Sequence, residues 1–189
     1  MLTDEQIKDA ADRLYEAERA RVQMPALTLS YPDMDMDDAY RVQKCWVDRK
    51  VAEGASVYGY KIGLTSRAMQ MAVNIDTPDY GILLDDMVFA NNGTIAANDF
   101  TDPRIETEFA FVLKKPLAGE AVTSEQVIDA TDYVVPALEL IAARSYRVDP
   151  DSGYTRKVFD TIADNAANAG IILGDTHIDP RQVDLRWAG

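Results

Sequence analysis

The segment Arg104-Ile105-Glu106-Thr107-Glu108-Phe109-Ala110-Phe111-Val112-Leu113 constrains this chain more than any other. Its β-branched and aromatic residues predict a strand that leads into the core. Side chains two apart on a strand share a face, so Glu106 and Glu108 stand side by side while Ile105, Thr107 and Phe109 point the other way. Neighbouring carboxylates repel. Both stay ionised only if a cation or hydrogen-bond donors sit between them; otherwise one takes up a proton.

A third acid occurs in a comparable setting. The run Tyr133-Val134-Val135-Pro136-Ala137-Leu138-Glu139-Leu140-Ile141 is apolar except for Glu139, which predicts a strand buried on both faces. An unpaired carboxylate there costs on the order of several kcal/mol. The economical arrangement is that Glu106, Glu108 and Glu139 share one hard divalent cation. All-oxygen ligation favours Mg²⁺ or Mn²⁺ over Zn²⁺. Two rival readings stay open: a salt-bridge network with Arg104 and Arg144, and, for Glu106 and Glu108 alone, a solvent-facing strand edge.

Composition narrows the function classes. The 189 residues suit one domain with a small N-terminal appendage. The formal net charge is −13, with 19 Lys and Arg against 32 acids. Neither the total nor any local cluster is basic, which argues against nucleic acid and anionic membrane as partners. Cys45 is the single cysteine, so no intrachain disulfide forms and a reducing, cytoplasmic setting is expected. The N-terminus has no basic flank or apolar stretch of a signal peptide. No apolar run approaches the ~20 residues that span a bilayer.

In chain order, Thr3 and Gln6 form a capping-box pattern ahead of a helix with Ile7, Ala11 and Leu14 on one face. A short extended piece is expected over Leu27–Tyr31. A second helix runs from about Asp37 to Glu53, with Val42, Trp46 and Val47 inward and Gly54 as its stop. From Val57 the texture changes to short strands: Val57–Leu64, then a helical turn over Ser66–Met71, then turn chemistry at Asp76–Gly81. Met87–Phe89 reads as a strand that ends at Asn91-Asn92-Gly93, with Thr94–Ala96 as its return partner. A helix over Ser124–Tyr133, the Glu139 strand and a strand at Ile171–Gly174 complete the pattern. Asp184-Leu185-Arg186-Trp187 reads as the start of a strand cut short. The fold class is α+β: N-terminal helices over 1–56 and a mostly β domain over 57–189.

Single residues carry less information. Lys61 in Gly59-Tyr60-Lys61-Ile62-Gly63 reads either as an edge-strand lysine or as a cation that stabilises a developing enolate or shuttles a proton. The Gly-Lys-Ser/Thr order of a phosphate-binding loop is absent. Asp79 has a plain turn role as its alternative. His177, the one histidine, is most simply a surface residue, and Cys45 and Trp46 are packing residues.

Five motifs taken together go further. Gly59-Tyr60-Lys61-Ile62-Gly63-Leu64-Thr65-Ser66, Pro78-Asp79-Tyr80-Gly81, Ile105-Glu106-Thr107-Glu108, Pro136-Ala137-Leu138-Glu139-Leu140-Ile141 and Asp160–Gly170 stand in one order along the chain. In that order they resemble the 2-keto-4-pentenoate hydratases of the fumarylacetoacetate hydrolase superfamily. Within it the likeness is greatest to the branch acting on 2-oxo-hept-4-ene-1,7-dioate in aromatic catabolism. The resemblance implies a mixed β-roll core of the superfamily's C-terminal-domain type and assembly into homo-oligomers. It also implies Mg²⁺ held by Glu106, Glu108 and Glu139, and proton transfer involving Lys61 and Asp79.

The implied reaction is hydration of a 2-hydroxy-2,4-dienoate through its 2-oxo form. A seven-carbon diacid also needs a cation for its far carboxylate, with Arg67, Arg104 and Arg144 as candidates. Related 4-oxalocrotonate-type decarboxylases carry Val-Glu-Pro-Glu where this chain has Ile105-Glu106-Thr107-Glu108, which favours hydration. An inactive, truncated paralogue is the third reading, because members of the family continue beyond Trp187. Many of them also have an acid where this chain has Ala142.

Overall fold

The N-terminal third folds on two amphipathic helices whose boundaries are written in their caps. In the computed structural model, which describes residues 1–185, α1 spans Asp4–Ala20. Thr3 and Gln6 close the expected reciprocal cap, and Arg21 ends the helix in the left-handed conformation. A single turn, α2 (Leu27–Ser30), leads to α3 (Met36–Ala52), which is capped by Asp35. Ile7, Leu14 and Ala11 of α1 pack against Val42 and Trp46 of α3 in a cluster that also takes in Leu84 and Ile162 from much later in the chain.

Charged groups finish this region. Asp38 is fully buried and accepts hydrogen bonds from the Leu2 N–H (2.9 Å) and from Arg41 (3.0 Å), with the terminal ammonium 3.6 Å away. Burial works to raise its carboxyl pKa, but the Leu2 N–H, the terminal ammonium and Arg41 more than offset that, so it is held below the usual carboxylate range. A lowered carboxylate pKa stabilises the fold above the unfolded value, ~3.9, and that contribution is lost as pH falls through the lower folded value. Asp38→Ala is therefore expected to free the N-terminus at neutral pH. Faster proteolytic nicking within the first residues of α1 is the readout, and wild-type rates would show that the latch does not hold.

The β portion forms two sheets. Strands β1 (Val57–Gly63) and β2 (Asp79–Leu84) make an antiparallel pair, with α4 (Arg67–Ala72) in the connection. The second sheet has the order β3-β6-β5-β4, built from β3 (Val88–Phe89), β4 (Arg104–Leu113), β5 (Thr131–Ile141) and β6 (Asn168–Leu173). It is mixed: β3 runs parallel to β6, while β4–β5 and β5–β6 are antiparallel. Helix α5 (Ser124–Ala130) precedes β5, and α6 (Val158–Ala163) precedes β6.

Buried polar side chains tie these layers together. The Gln43 amide on α3 donates to the Tyr80 carbonyl (2.9 Å) and the Ile162 carbonyl (3.0 Å). Asn165 accepts from the Ile82 N–H (2.7 Å) and donates to the Ile82 carbonyl (2.8 Å). That clamp holds Asn165, Ala166 and Ala167 in three consecutive left-handed conformations, each costing roughly 1–2 kcal/mol for a residue with a Cβ.

Several expectations are corrected. Leu27–Tyr31 is helical rather than extended, because Asp160 accepts from both the Thr28 N–H and its hydroxyl and draws the turn inward. Asp79–Gly81 begins strand β2 instead of forming a turn. Thr94–Ala96 is no return strand: Asn91–Gly93 does turn, but β3 pairs with β6. β4 does not lead into the core. Among the described residues it lies at the sheet edge, with Ile105, Phe109, Phe111 and Leu113 exposed. β5 is buried along the face of Val135, Ala137 and Glu139, and on the other face Val134 and Leu140 are buried while Leu138 is 40 % exposed. Arg186 and Trp187, part of the strand start read at Asp184–Trp187, lie outside the described residues.

Candidate active site

Strand pairing decides which carboxylates meet. In the β4–β5 ladder Glu106 is the direct partner of Glu139, and Glu108 is the partner of Ala137. All three glutamates therefore share one face, and the small Ala137 leaves room beside Glu108. Carboxylate oxygens from Glu106, Glu108 and Glu139 come within 4.8 Å of one another. Like charges directly opposite on a ladder are destabilising, so this placement calls for a positive counterpart.

One counterpart is Lys61. Its Nζ lies 3.3 Å from Glu139 Oε1. The angles do not make a hydrogen bond, and the buried Oε1 keeps a lone pair without a donor. Glu139 is 5 % exposed; burial, against the pull of Lys61 and with the push of Glu106 and Glu108, drives its pKa up to about 7. Glu108 is raised by the strand surface that covers part of it and by Glu106. One ammonium faces three carboxylates, one of them with an unused buried oxygen. Hard oxygen donors in this arrangement suit a cation such as Mg²⁺.

Asp79 completes the group from the other sheet. It pairs in register with Gly63 at the end of β1 and β2 and is 4 % exposed. Burial raises its carboxyl above the ordinary range while Lys61 opposes the rise. Its Oδ1 has no hydrogen-bond donor. Gly63 makes the placement possible, since a Cβ there would overlap Asp79 Oδ1 and press on Lys61 Nζ at 3.2 Å. Gly63→Ala is accordingly expected to displace Asp79, and a shift near 1 Å can cost about 100-fold in turnover. A variant that kept both its melting temperature and its full kcat would show that Asp79 need not stand where it does.

Lys61, Asp79 and Glu106 line an open cleft of ≈ 860 Å³, within the size range of small-molecule sites. Glu108 and Glu139 do not line it directly. Arg67, Arg104 and Arg144, the candidates for a far carboxylate, are not among the residues that line this cleft. Arg67 is exposed at the start of α4. Arg104 shares the glutamate face, but its guanidinium is 3.0 Å from Asp102. Arg144 is 3 % exposed, held by Asp164 at 3.1 Å and Glu18 at 3.4 Å, and stacked over Trp46. It is a structural residue of the helix–sheet junction. The cleft is lined instead by Arg147, Arg156 and Lys157, together with the left-handed turn at Ala166 and Ala167. No sequence signal singles out Arg147, Arg156 and Lys157, since Asp149 and Asp151 stand between them. His177 stacks on Tyr133 at 3.8 Å and takes no part in the cleft.

No protein-family model matches the chain. The relatives decide the matter. Over 177 residues the chain is 55 % identical to the 2-oxo-hept-4-ene-1,7-dioate hydratase of Escherichia coli, covering 94 % of this chain and 66 % of that one. It is 39 % identical over 188 residues to the 2-keto-4-pentenoate hydratase of Paraburkholderia xenovorans, covering 100 % of this chain and 68 % of the relative. The chain belongs to the 2-keto-4-pentenoate hydratase family of the fumarylacetoacetate hydrolase superfamily. Its fold agrees: the 4-oxalocrotonate decarboxylase of Pseudomonas putida G7, in complex with magnesium and adipate, superposes with a TM-score of 0.90 at 33 % identity, over 98 % of this chain and 68 % of that one. The chain spans about two thirds of the length of these relatives.

Proposed function

We propose that this protein adds water to a 2-hydroxy-2,4-dienoate through its 2-oxo-3-ene tautomer, with 2-oxo-hept-4-ene-1,7-dioate, which becomes such a dienoate on losing a C3 proton, as the preferred substrate. The observation that carries the reading is the cross-strand pairing of Glu106 with Glu139, which gathers three carboxylates beside Lys61 at the cleft. Glu106, Glu108 and Glu139 would hold Mg²⁺. A bound Mg²⁺ supplies Lewis-acid polarisation of the 2-oxo acid and charge neutralisation.

The chain's own residues account for the rest. Ketonisation moves the 2-hydroxyl proton to solvent and places a proton on C5, leaving a C3=C4 bond conjugated to the ketone. Water oxygen then bonds to C4, and the electron pair moves towards the 2-oxygen. The Lys61 ammonium, already turned into the site, stabilises that developing negative charge. Asp79 takes the proton leaving the water, and C3 is protonated as the ketone re-forms, for a net addition of one H₂O. The buried, donor-free Oδ1 of Asp79 suits proton transfer better than a static ion pair.

A decarboxylase reading has its own support, since the match to the 4-oxalocrotonate decarboxylase structure is a close one. Incubation with Mg²⁺ and 2-hydroxyhepta-2,4-diene-1,7-dioate or 4-oxalocrotonate separates the two. Loss of diene absorbance without CO₂ is expected. Release of CO₂ would move the assignment to decarboxylation, and no change with either compound would overturn both.

A further inference from the structure

The glutamate cluster has a cationic counterpart in the same cleft. Residues 147–156 form a hairpin: Val148 pairs with Thr155, and the Arg156 N–H donates to the Arg147 carbonyl at 3.1 Å. Asp149 accepts from the N–H groups of Asp151 and Ser152 and from the Ser152 hydroxyl, which pins the turn. The hairpin thus sets Arg147 and Arg156 side by side, and both line the cleft with Lys157. Among the described residues none of the three has a carboxylate within 4.0 Å, although acids outnumber bases in this chain.

Arg156 is the most constrained of them. It is half-buried, and its Nη1 donates to the Ser145 carbonyl at 3.1 Å. Burial and the neighbouring Arg147 both disfavour its charge. The acids that pull the other way are Asp164, Asp160 and Asp102, and each is already engaged. Asp164 binds Arg144, Asp160 binds Thr28 and the Lys157 N–H, and Asp102 binds Arg104. Two adjacent guanidiniums with no carboxylate of the described residues in ion-pair reach, at the wall of a substrate-sized cleft, make an anion site.

We propose that Arg147 and Arg156, with Lys157, bind the second carboxylate of a dicarboxylate substrate and select diacids over monoacids. This deepens the hydratase reading and rests on it for the nature of the reacting end. One cleft then holds both termini of the ligand: the 2-oxo acid at Lys61 and Glu106, and the far carboxylate at the hairpin.

The test has a binding arm and a turnover arm. Calorimetry with Mg²⁺ compares adipate with hexanoate, which differ by one carboxylate. Wild type is expected to prefer adipate by roughly 10- to 100-fold, the worth of a charge-assisted contact. Arg147→Met and Arg156→Met should each remove most of that preference, and Arg156→Lys should keep part of it. Arg147 is exposed, so its variant reports on binding even if Arg156→Met folds poorly. In turnover, kcat/KM for the seven-carbon diacid should fall 10- to 100-fold more than for 2-hydroxypenta-2,4-dienoate, chiefly through KM. Equal binding of adipate and hexanoate by wild type, or equal losses on both substrates in the variants, overturns the proposal. Absence of turnover on either substrate would sink the hydratase reading, while calorimetry would still decide the anion site.

Discussion

Glu106→Gln and Glu139→Gln should each abolish stabilisation of the protein by Mg²⁺. A ligand that binds only the folded state raises stability by about 2.7 kcal/mol at 100 times its dissociation constant, an easily measured rise in melting temperature. Loss of a group that merely supports a metal ligand weakens binding by about 10- to 100-fold, so loss of a ligand itself should exceed ~100-fold. The expected result is a melting temperature that no longer responds to Mg²⁺ in either variant, with turnover lost in parallel. The two substitutions differ in one respect. Glu139 faces Lys61 at 3.3 Å, so Glu139→Gln also leaves that ammonium without its nearest counter-charge. An undiminished thermal response to Mg²⁺ in both variants would mean that the three carboxylates are not the ligands.

Arg144→Met should produce the largest loss of fold stability. Arg144 and Asp164 are both almost fully buried and 3.1 Å apart, and Asp164 also accepts the Arg144 backbone N–H at 2.6 Å. Burial pushes the Asp164 carboxyl up to about 6 while Arg144 pulls it down. Burial also opposes the charge on Arg144, but Asp164 and Glu18 more than offset it. A guanidinium does not deprotonate in proteins, so at neutral pH the pair is charged. Removing one partner of such a pair strands the other and costs about 3–5 kcal/mol. Urea unfolding of Arg144→Met is therefore expected to show a loss of that size. Adding Asp164→Leu should cost less than the sum of the two single changes, because the stranded charge goes with it. A loss below about 1 kcal/mol would assign Arg144 to the surface-pair class instead.

The placement of Arg144 also lies beyond what the pattern of the chain determines. Arg144 follows the Glu139 strand closely in the chain and was a reasonable candidate to reach the substrate. Its guanidinium instead turns towards Trp46, Glu18 and Asp164. Arg147, three residues on, lines the cleft because the hairpin with Thr155 and Arg156 carries it there. Side-chain direction beyond a strand end depends on loop geometry, for which the chain has no period to read. The same limit explains β3. Asn91-Asn92-Gly93 signals a turn correctly, but a turn does not name the partner strand. The exposed apolar face of β4 shows the converse error: residue type predicts a strand well and its burial poorly.

The sequence by itself determined the helix cap at Thr3, the strand character around Glu106 and Glu139, and the common face of Glu106 and Glu108. Each follows from interactions a few residues apart: a cap hydrogen bond, or a two-residue alternation. Only the tertiary structure decided that Glu139 lies opposite Glu106, that Asp79 sits against Gly63, and that Arg147 and Arg156 share a wall of the same cleft. Those are matters of register between segments that are distant in the chain. Register is set by which faces can be buried together, and that is a property of the assembled sheets rather than of any one segment.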